Sequence, residues 1–477
     1  MSLLNNTKWV ALAQIVKIFC QIINLVVLAR LIPPNEYGLM AMAGVIVALG
    51  FLFRDMGTSA ALIQKQNLTE DLKNAVFWLN ILTGSVLGFG IAITSPFVAD
   101  YFRQTELIPV LLLLALSFPI TSFSSSHLAL MERQSQFKRI AYIESLSSLF
   151  ATILAVAAAY NGCGVYSLVV QALVNASISS FLIWNASKWN PSIYGYKYLK
   201  EIKQIFGFSG NLVAFNFINY FYRNADRWII GRTMQISILG AYDLAYKIML
   251  FPLQTLTFVI GRALFPIISR LQDDQEKFNE TFIKITVLIA MISFPLMTGL
   301  FVLREDFVHI VFGSKWYMVA DILFWLAPIG ILQSLNSSTG SILMAKGKTS
   351  ILFFLGIIGA FLTLSAFLIS SILKLDIIGF CKLYFFANII NFSIATYVVC
   401  KVIKLSILEY LKPIFSITVS SFLLFLLLLF MGSYIYFSFI LKIIIGIIFY
   451  CILLCVIPNK IIFGILKSKL RYRRGVL

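Results

Sequence analysis

The 477-residue chain has few charged residues, and this scarcity already limits what it can be. Asp, Glu, Lys and Arg make up 12% of the sequence and hydrophobic residues 60%, whereas a typical soluble domain is about one-quarter charged. This composition excludes a soluble enzyme, a disordered chain and a collagen-like chain. At about 20 residues per transmembrane helix, the apolar residues suffice for about fourteen spans and leave little for an extramembrane domain.

Cysteine and histidine are also scarce. The six cysteines are scattered, and most lie in or beside apolar runs, so neither a disulfide framework nor a metal site is expected. With only two histidines, His127 and His309, a Ser/His or Cys/His catalytic pair is not expected either. We therefore predict that the protein is not an enzyme and requires no cofactor.

Long apolar runs bounded by Gly, Pro, Asn or charged clusters predict where the spans lie. Fourteen such runs are found, at residues 9–31, 37–53, 76–99, 107–130, 140–160, 164–184, 206–230, 238–265, 282–303, 318–344, 349–373, 377–400, 413–432 and 437–457. Most loops on the predicted outer side are very short, so no external domain is available for chemistry. The predicted fold class is an all-α membrane protein with about fourteen transmembrane helices.

The loops carry a charge asymmetry that predicts the orientation of the chain. Of the 38 Lys and Arg residues, 25 fall on the same side as the N-terminus and five on the other side. Because cytoplasmic loops are enriched in Lys and Arg, both termini are predicted to be cytoplasmic. The remaining eight bases lie within or at the ends of spans, and they are Lys17, Arg30, Arg223, Arg227, Lys247, Arg262, Lys382 and Lys442.

An internal repeat relates the two halves of the chain. A shift of 202 residues superposes the first span on the seventh, placing Gln14 on Asn216, Lys17 on Asn219, Gln21 on Arg223, Asn24 on Asp226, Arg30 on Arg232 and Gly38 on Gly240. Six helices per half is an even number, so the repeat is parallel, with a pseudo-twofold axis along the membrane normal. We predict an N-terminal lobe at 1–200, a C-terminal lobe at 201–404, and two extra helices with a basic tail at 405–477.

Polar side chains form stripes along three of the predicted spans. Gln14, Lys17, Gln21 and Asn24 are spaced by three, four and three residues, which places them on one helix face. Two interpretations are open. Each base can pair locally and hold helices together, or the bases can line a cationic, water-accessible cavity between the two halves. The second is favoured because membrane acids are few, chiefly Glu144, Asp226, Asp243 and Asp321.

The best anion-binding candidates are Arg223 and Arg227, which share one acid, because a guanidinium can bind phosphate bidentately. Lys247 has Asp243 one turn away, which favours a local pair. Asp226 and Asp243 are the candidates for coupling to a proton or sodium ion. The predicted substrate-binding set is Lys17, Gln21, Arg30, Asn216, Asn219, Arg223, Arg227, Lys247 and Arg262.

Several sequence segments resemble those of a known transporter family. They are residues 60–82 (AALIQKQNLTEDLKNAVFWLNIL), 130–142 (LMERQSQFKRIAY), 162–171 (GCGVYSLVVQ), 240–274 and 312–316 (FGSKW). Within 240–274 the matching positions are Gly240, Tyr242, Ala245, Pro252, Phe265, Pro266 and Arg270. Up to about residue 400, the chain resembles the polysaccharide transporter family, the Wzx-type flippases of the multidrug/oligosaccharidyl-lipid/polysaccharide exporter superfamily.

This resemblance implies two six-helix lobes and a cation-lined cavity in the bacterial inner membrane. It also implies a substrate, an oligosaccharide linked to undecaprenyl diphosphate, which alternating access moves to the periplasmic leaflet for O-antigen, capsule or exopolysaccharide synthesis. A polysaccharide polymerase and a chain-length regulator are possible partners, and nucleic acid is not.

Two alternatives stay open from the residues. An ion-coupled multidrug-type antiporter of the same superfamily would line its pocket with acids, which the excess of Lys and Arg disfavours. A membrane glycan polymerase or ligase would need a large external loop with catalytic side chains, and the sequence contains none.

Overall fold

The computed structural model describes residues 3–55, 59, 62–63, 65, 68–194, 217, 220–221, 223–271, 274–432 and 438–457. Over these residues the chain is helical, with no strand. Thirteen segments among them are long and apolar enough to cross a membrane. The protein is therefore an all-helical, multi-pass membrane protein, as predicted. Most of the predicted seventh span, 206–230, lies outside the described residues, so the count of fourteen stays a prediction.

The chain forms two compact units, Met1–Gly240 and Ala241–Leu477. The division into lobes at 1–200, 201–404 and 405–477 stays a prediction. The helices that lie in the first unit are α1 Leu3–Ile23, α2 Pro34–Asp55, α3 Glu70–Phe102, α4 Leu107–Ala115, α5 Ser117–Arg133, α6 Phe137–Tyr160 and α7 Val165–Ser187. Residues 223–233 are also helical.

Helix α8, Ile236–Ser269, begins in the first unit and continues into the second. The helices that follow it are α9 Gln275–Val302, α10 Arg304–Val311, α11 Tyr317–Asn336, α12 Thr339–Ala345, α13 Thr349–Ile372, α14 Ile377–Val402, α15 Ile407–Gly432 and α16 Phe439–Val456. α10 and α12 are too short to span a membrane alone, and α12 follows α11 closely within a single 32-residue candidate span.

Side-chain caps fix several helix starts, because the first backbone N–H groups of a helix have no partner within it. The Thr69 hydroxyl accepts from the backbone N–H of Leu72 at the start of α3, at 3.3 Å. The Asp376 carboxylate accepts from Gly379 N–H at the start of α14, at 2.8 Å. Caps of this kind, with glycine in the turns, allow long helices to be joined by very short loops.

Small residues let the helices of the first unit pack closely, as is common in membranes. The hydroxyls of Ser124 on α5 and Ser180 on α7 lie 3.0 Å apart. A Cβ atom on Gly84 of α3 would collide with the hydroxyl of Ser122 on α5. These contacts hold α3, α5 and α7 as one block in which serine and glycine replace bulkier side chains.

The starts of α2 and α8 touch through glycine. A Cβ atom on Gly38 would collide with the backbone oxygen of Ile236, and one on Gly240 would collide with the backbone oxygen of Pro34. α2 begins at Pro34 and α8 at Ile236, which is the 202-residue spacing of the predicted repeat. The observation supports the repeat, since equivalent glycines occupy equivalent positions at equivalent helix starts.

Candidate functional site

The polar stripe of the first span is directed at α6. The Nζ of Lys17 lies 2.7 Å from the Oε2 of Glu144, and the amide of Asn24 donates to the hydroxyl of Thr152 at 3.5 Å. Both partners belong to α6, so Lys17 and Asn24 contact protein, which is the local pairing that was the less favoured of the two interpretations, whereas Gln21 on the same face is exposed. Lys17 therefore has an acidic partner in Glu144. The sequence showed Glu144 as one of the few membrane acids, but their contact was not predicted.

The helix of the first span is irregular just beyond this stripe. Residues Asn24–Leu28 form a π-helical turn, a local widening of the helix that frequently marks functional sites. The carbonyl oxygen of the Asn24 side chain is buried and accepts no hydrogen bond from the described residues. The wide turn thus follows the position where the polar stripe ends.

Arg223, Asp226 and Arg227 lie on the helical residues 223–233, and their environments differ. The side chain of Asp226 is buried and accepts a hydrogen bond from the backbone N–H of Arg227 at 2.8 Å. The guanidinium of Arg227 donates to Asn224 at 3.3 Å. Arg223 is exposed and has no hydrogen bond or ion pair with any other described residue. Of the two arginines, Arg223 is therefore the more available to a ligand.

Lys247 and Asp243 form the local pair that their spacing on α8 predicted. The Nζ of Lys247 lies 2.6 Å from the Oδ2 of Asp243. The Lys247 side chain is 49% exposed and that of Asp243 only 4%. The buried carboxylate of Asp243 therefore pairs with a lysine whose side chain is half-exposed.

The other residues of the predicted substrate-binding set give less information about the site. Gln21 and Arg30 are exposed. Asn216 and Asn219 lie outside the described residues, as does the side chain of Arg262, whose backbone belongs to α8. That the predicted set lines a single cavity stays a prediction.

A polar cavity that sequence reasoning missed lies inside the first unit. It has a volume of about 560 Å³ and is walled by α2, α5 and α7, with Leu114 of α4 at its edge. We call it the hydroxyl-lined cavity. Its polar lining residues are Arg54, Ser59, Ser117, Thr121, Ser124, Ser125, Glu132, Asn175, Ser179 and Ser180.

Hydrogen bonds position the polar side chains of this cavity. The guanidinium of Arg54 on α2 donates to the Thr121 hydroxyl on α5 at 2.5 Å and lies over the ring of Phe51, 4.8 Å from its centre. The hydroxyls of Ser59 and Ser125 lie 3.2 Å apart. Arg54 is one of the 25 Lys and Arg residues that the sequence assigns to loops on the side of the N-terminus. The structure places it instead in the wall of the cavity. The serine-rich sequence 117–126 (SFPITSFSSS) was the available signal.

The second unit contains a groove of the opposite character. It has a volume of about 520 Å³ and runs between α8, α9, α15 and α16. Its walls are mainly aliphatic and aromatic, including Met291, Leu296, Leu428 and Ile447. We call it the apolar groove.

The one lysine in the wall of the apolar groove is neutralised by an acid. The Nζ of Lys442 on α16 lies 2.8 Å from the Oδ2 of Asp306 on α10. The Lys442 side chain is only 10% exposed, so it forms a pair within the protein in addition to lying near one end of its span. Among the residues that the structure describes, no cluster of three or more His, Cys, Asp or Glu side chains could bind a metal.

The arrangement of helices defines the class of the protein. The fold is similar to that of a solved structure described as "Lipid II flippase MurJ, inward closed conformation", with a TM-score of 0.74, 14% identity, and coverage of 94% of this chain and 98% of that one. At this identity the likeness establishes the fold alone. It shows that the chain has the fold of that multi-helix membrane protein.

The sequence comparisons narrow this class to a family. Residues 27–321 match the family described as "Polysaccharide biosynthesis protein", and the chain belongs to that family. It is 28% identical over 400 residues to the "Lipopolysaccharide biosynthesis protein WzxC" of Escherichia coli, covering 83% of this chain and 81% of that protein. It is also 28% identical over 414 residues to the "Teichuronic acid biosynthesis protein TuaB" of Bacillus subtilis, covering 86% and 85%. The resemblance to Wzx-type polysaccharide transporters is thereby confirmed.

Proposed function

We propose that the protein is a flippase for an oligosaccharide linked to undecaprenyl diphosphate. It moves this lipid from the cytoplasmic to the periplasmic leaflet of a bacterial inner membrane by alternating access, with both of its own termini in the cytoplasm. The family and the relatives that share it support a role in surface polysaccharide synthesis. A polysaccharide polymerase and a chain-length regulator are the partners that would use the product.

The observation that carries this proposal is that the side chains of Arg223 and Arg227 differ in their contacts. Asp226 already accepts a hydrogen bond from the neighbouring backbone, and Arg223 has no partner among the described residues. An arginine in a membrane protein is costly unless it serves a ligand or a partner. A diphosphate is the fitting ligand, because its oxygens can bind guanidinium groups bidentately.

The lysines of the pairs Lys17–Glu144 and Lys247–Asp243 are further candidates for binding phosphate, each within its own unit. Both lysines are partly exposed while they contact their acids. An arriving diphosphate competes with each carboxylate for the ammonium group, so the acids hold the lysines in place between transport cycles. Asp243, once Lys247 turns to substrate, and the buried Asp226 are the carboxylates proposed to accept a proton or sodium ion.

The apolar groove suits the polyprenyl part of the same substrate. An isoprenoid chain has no polar group to satisfy, and the groove presents almost only carbon. The tail would lie along α15 and α16, the two helices beyond the repeated halves.

The central test replaces both arginines. Cells whose only copy carries Arg223→Ala and Arg227→Ala are expected to lose surface polysaccharide and to accumulate the lipid-linked oligosaccharide, because the diphosphate loses its ligands. Polysaccharide is measured on the cell surface and the lipid by extraction, at equal amounts of protein in the membrane.

The matched control is the double variant Arg139→Ala with Arg270→Ala, which removes two exposed arginines outside the proposed site. It is expected to leave polysaccharide unchanged. Normal polysaccharide in the Arg223/Arg227 variant would show that these residues do not bind substrate.

A further inference from the structure

The hydroxyl-lined cavity is built by three helices that each turn one face toward it. On α2 that face contains Met40, Gly44, Val47, Phe51 and Arg54, spaced by four, three, four and three residues. α5 and α7 contribute faces with the same helical spacing, rich in serine. The cavity is therefore a feature of the helical framework itself, and its volume of about 560 Å³ lies in the usual range of small-molecule sites.

The walls of the cavity can both donate and accept hydrogen bonds. When the Ser124 hydroxyl donates to a backbone carbonyl of its own helix, its oxygen accepts from Ser180, and one lone pair stays able to accept from a ligand. Asn175 offers an amide that both donates and accepts. The Glu132 carboxylate has no hydrogen-bond partner among the described residues. Polar walls inside a membrane unit require water or a polar ligand, since leaving them unsatisfied is costly.

The charge of the cavity argues against a phosphate ligand. Arg54 and Glu132 are the charged residues in its described lining, and their formal charges cancel. A diphosphate, which bears at least two negative charges, would gain little there and would be repelled by Glu132. A neutral ligand with many hydroxyl groups matches the mixture of hydroxyls, amide, guanidinium and carboxylate.

The position of Glu132 connects this cavity to the proposed phosphate site. Its carboxylate lies within electrostatic range of that of Glu144, and Glu144 pairs with Lys17 at 2.7 Å. The Glu132 carboxylate is therefore coupled electrostatically to the Lys17–Glu144 pair. Such coupling suits a molecule with a sugar chain joined to a diphosphate.

We propose that the hydroxyl-lined cavity is the glycan subsite, which recognises neutral sugar residues of the substrate and discriminates among repeat units. This inference rests on the proposed flippase function and adds the part of the protein that reads the sugar. Thr121, Ser124 and Ser179 provide hydroxyl contacts, while Arg54 and Glu132 bind sugar hydroxyls as donor and acceptor.

Gly44 offers a way to fill the cavity without disturbing its walls. A Cβ atom at Gly44 would meet no atom within 4 Å, because that side of α2 faces the cavity. Gly90 on α3 is equally open but does not line the cavity. Gly44→Leu and Gly90→Leu are therefore matched variants, and only the first occupies the proposed subsite.

The experiment measures binding of two lipids to the full-length protein in nanodiscs. One probe is undecaprenyl diphosphate. The other is the lipid-linked oligosaccharide extracted from source cells that lack the protein. For Gly44→Leu we expect about tenfold or greater loss of affinity for the glycosylated lipid, because several hydrogen bonds to sugar are displaced. Affinity for undecaprenyl diphosphate is expected to stay within about twofold of wild type, and Gly90→Leu should change neither.

A second variant removes hydrogen-bonding groups without adding bulk. Ser124→Ala with Ser179→Ala is expected to weaken only the glycosylated probe, whereas Ser122→Ala, at a buried serine on the same helix outside the cavity, should have no effect. Unchanged binding of the glycosylated lipid in both cavity variants, or equal weakening of both lipids, overturns the glycan subsite. Failure of the wild-type protein to bind either lipid would overturn the flippase proposal, and the subsite with it.

Discussion

The two units of this protein contain spaces of similar size and opposite chemistry. The hydroxyl-lined cavity of the first unit has about 560 Å³ and the apolar groove of the second about 520 Å³. The lining of the first combines serine, threonine and a pair of opposite charges with apolar side chains, whereas that of the second is almost entirely aliphatic and aromatic. The difference shows that each unit offers a space of different chemistry, and each space suits a different part of the proposed amphipathic substrate.

The largest expected difference between the two spaces is the loss of stability when a charged side chain is introduced. Met291→Asp introduces a carboxylate into the apolar groove, whereas Val47→Asp introduces one into the hydroxyl-lined cavity. We expect Met291→Asp to lower the free energy of unfolding by about 2.5 to 3.5 kcal/mol, the cost of a charge within a membrane. Val47→Asp should lower it much less, because nearby hydroxyls and water can solvate the charge.

Thermal unfolding in detergent, followed by intrinsic fluorescence, measures this difference. Met291→Leu and Val47→Leu are the neutral controls for the altered shape. An equal loss of stability in the two aspartate variants would mean that the two spaces do not differ in polarity as the structure indicates.

The ion pairs of the two units should also differ, by a smaller amount. Asp306→Asn leaves Lys442 without its acid where the lysine side chain is 10% exposed, and we expect a loss of about 1 to 3 kcal/mol. Glu144→Gln leaves Lys17, which is 37% exposed, and should cost less than about 1 kcal/mol. Unfolding midpoints in the same detergent compare the two.

A second substitution tests whether the unpaired lysine causes the loss of stability in Asp306→Asn. Combining Asp306→Asn with Lys442→Met removes the unpaired base and should recover most of the lost stability. If the double variant is no more stable than Asp306→Asn alone, the loss does not come from the buried lysine.

The smallest expected effect concerns the lipid tail. Gly299 lines the apolar groove, and a Cβ atom there would meet nothing within 4 Å, so Gly299→Leu narrows the groove without a clash. It should weaken undecaprenyl diphosphate and the glycosylated lipid by the same factor, about threefold, since both have the same tail. Binding in nanodiscs tests this, and a loss confined to the glycosylated lipid would contradict the assignment of the groove.

Sequence reasoning succeeded where a property is local along the chain. Apolar runs about as long as the bilayer is thick predicted the spans, and the spacing of Asp243 and Lys247 predicted their contact. The spacing of four polar residues placed them on one face of the first span, and two of them, Lys17 and Asn24, contact α6.

Contacts between distant segments were not predictable in this way. Lys17 and Glu144 are separated by 127 residues, and Lys442 and Asp306 by 136, so no spacing rule connects them. Arg54 stands at the end of an apolar run and looked like an ordinary loop base. Its place in a cavity wall depends on α5 and α7, and the serine-rich sequence of α5 does not indicate which helix it faces.

The glycine contact between α2 and α8 has a further consequence. Gly38 faces the backbone of Ile236 while Gly240 faces that of Pro34, so each residue meets the counterpart of its own neighbour. In an isologous dimer interface, each contact occurs twice because residue i of one subunit meets residue j of the other and the reverse. Here a single polypeptide makes both contacts. Because this close approach of α2 and α8 uses both glycines, a side chain added at either position would break it.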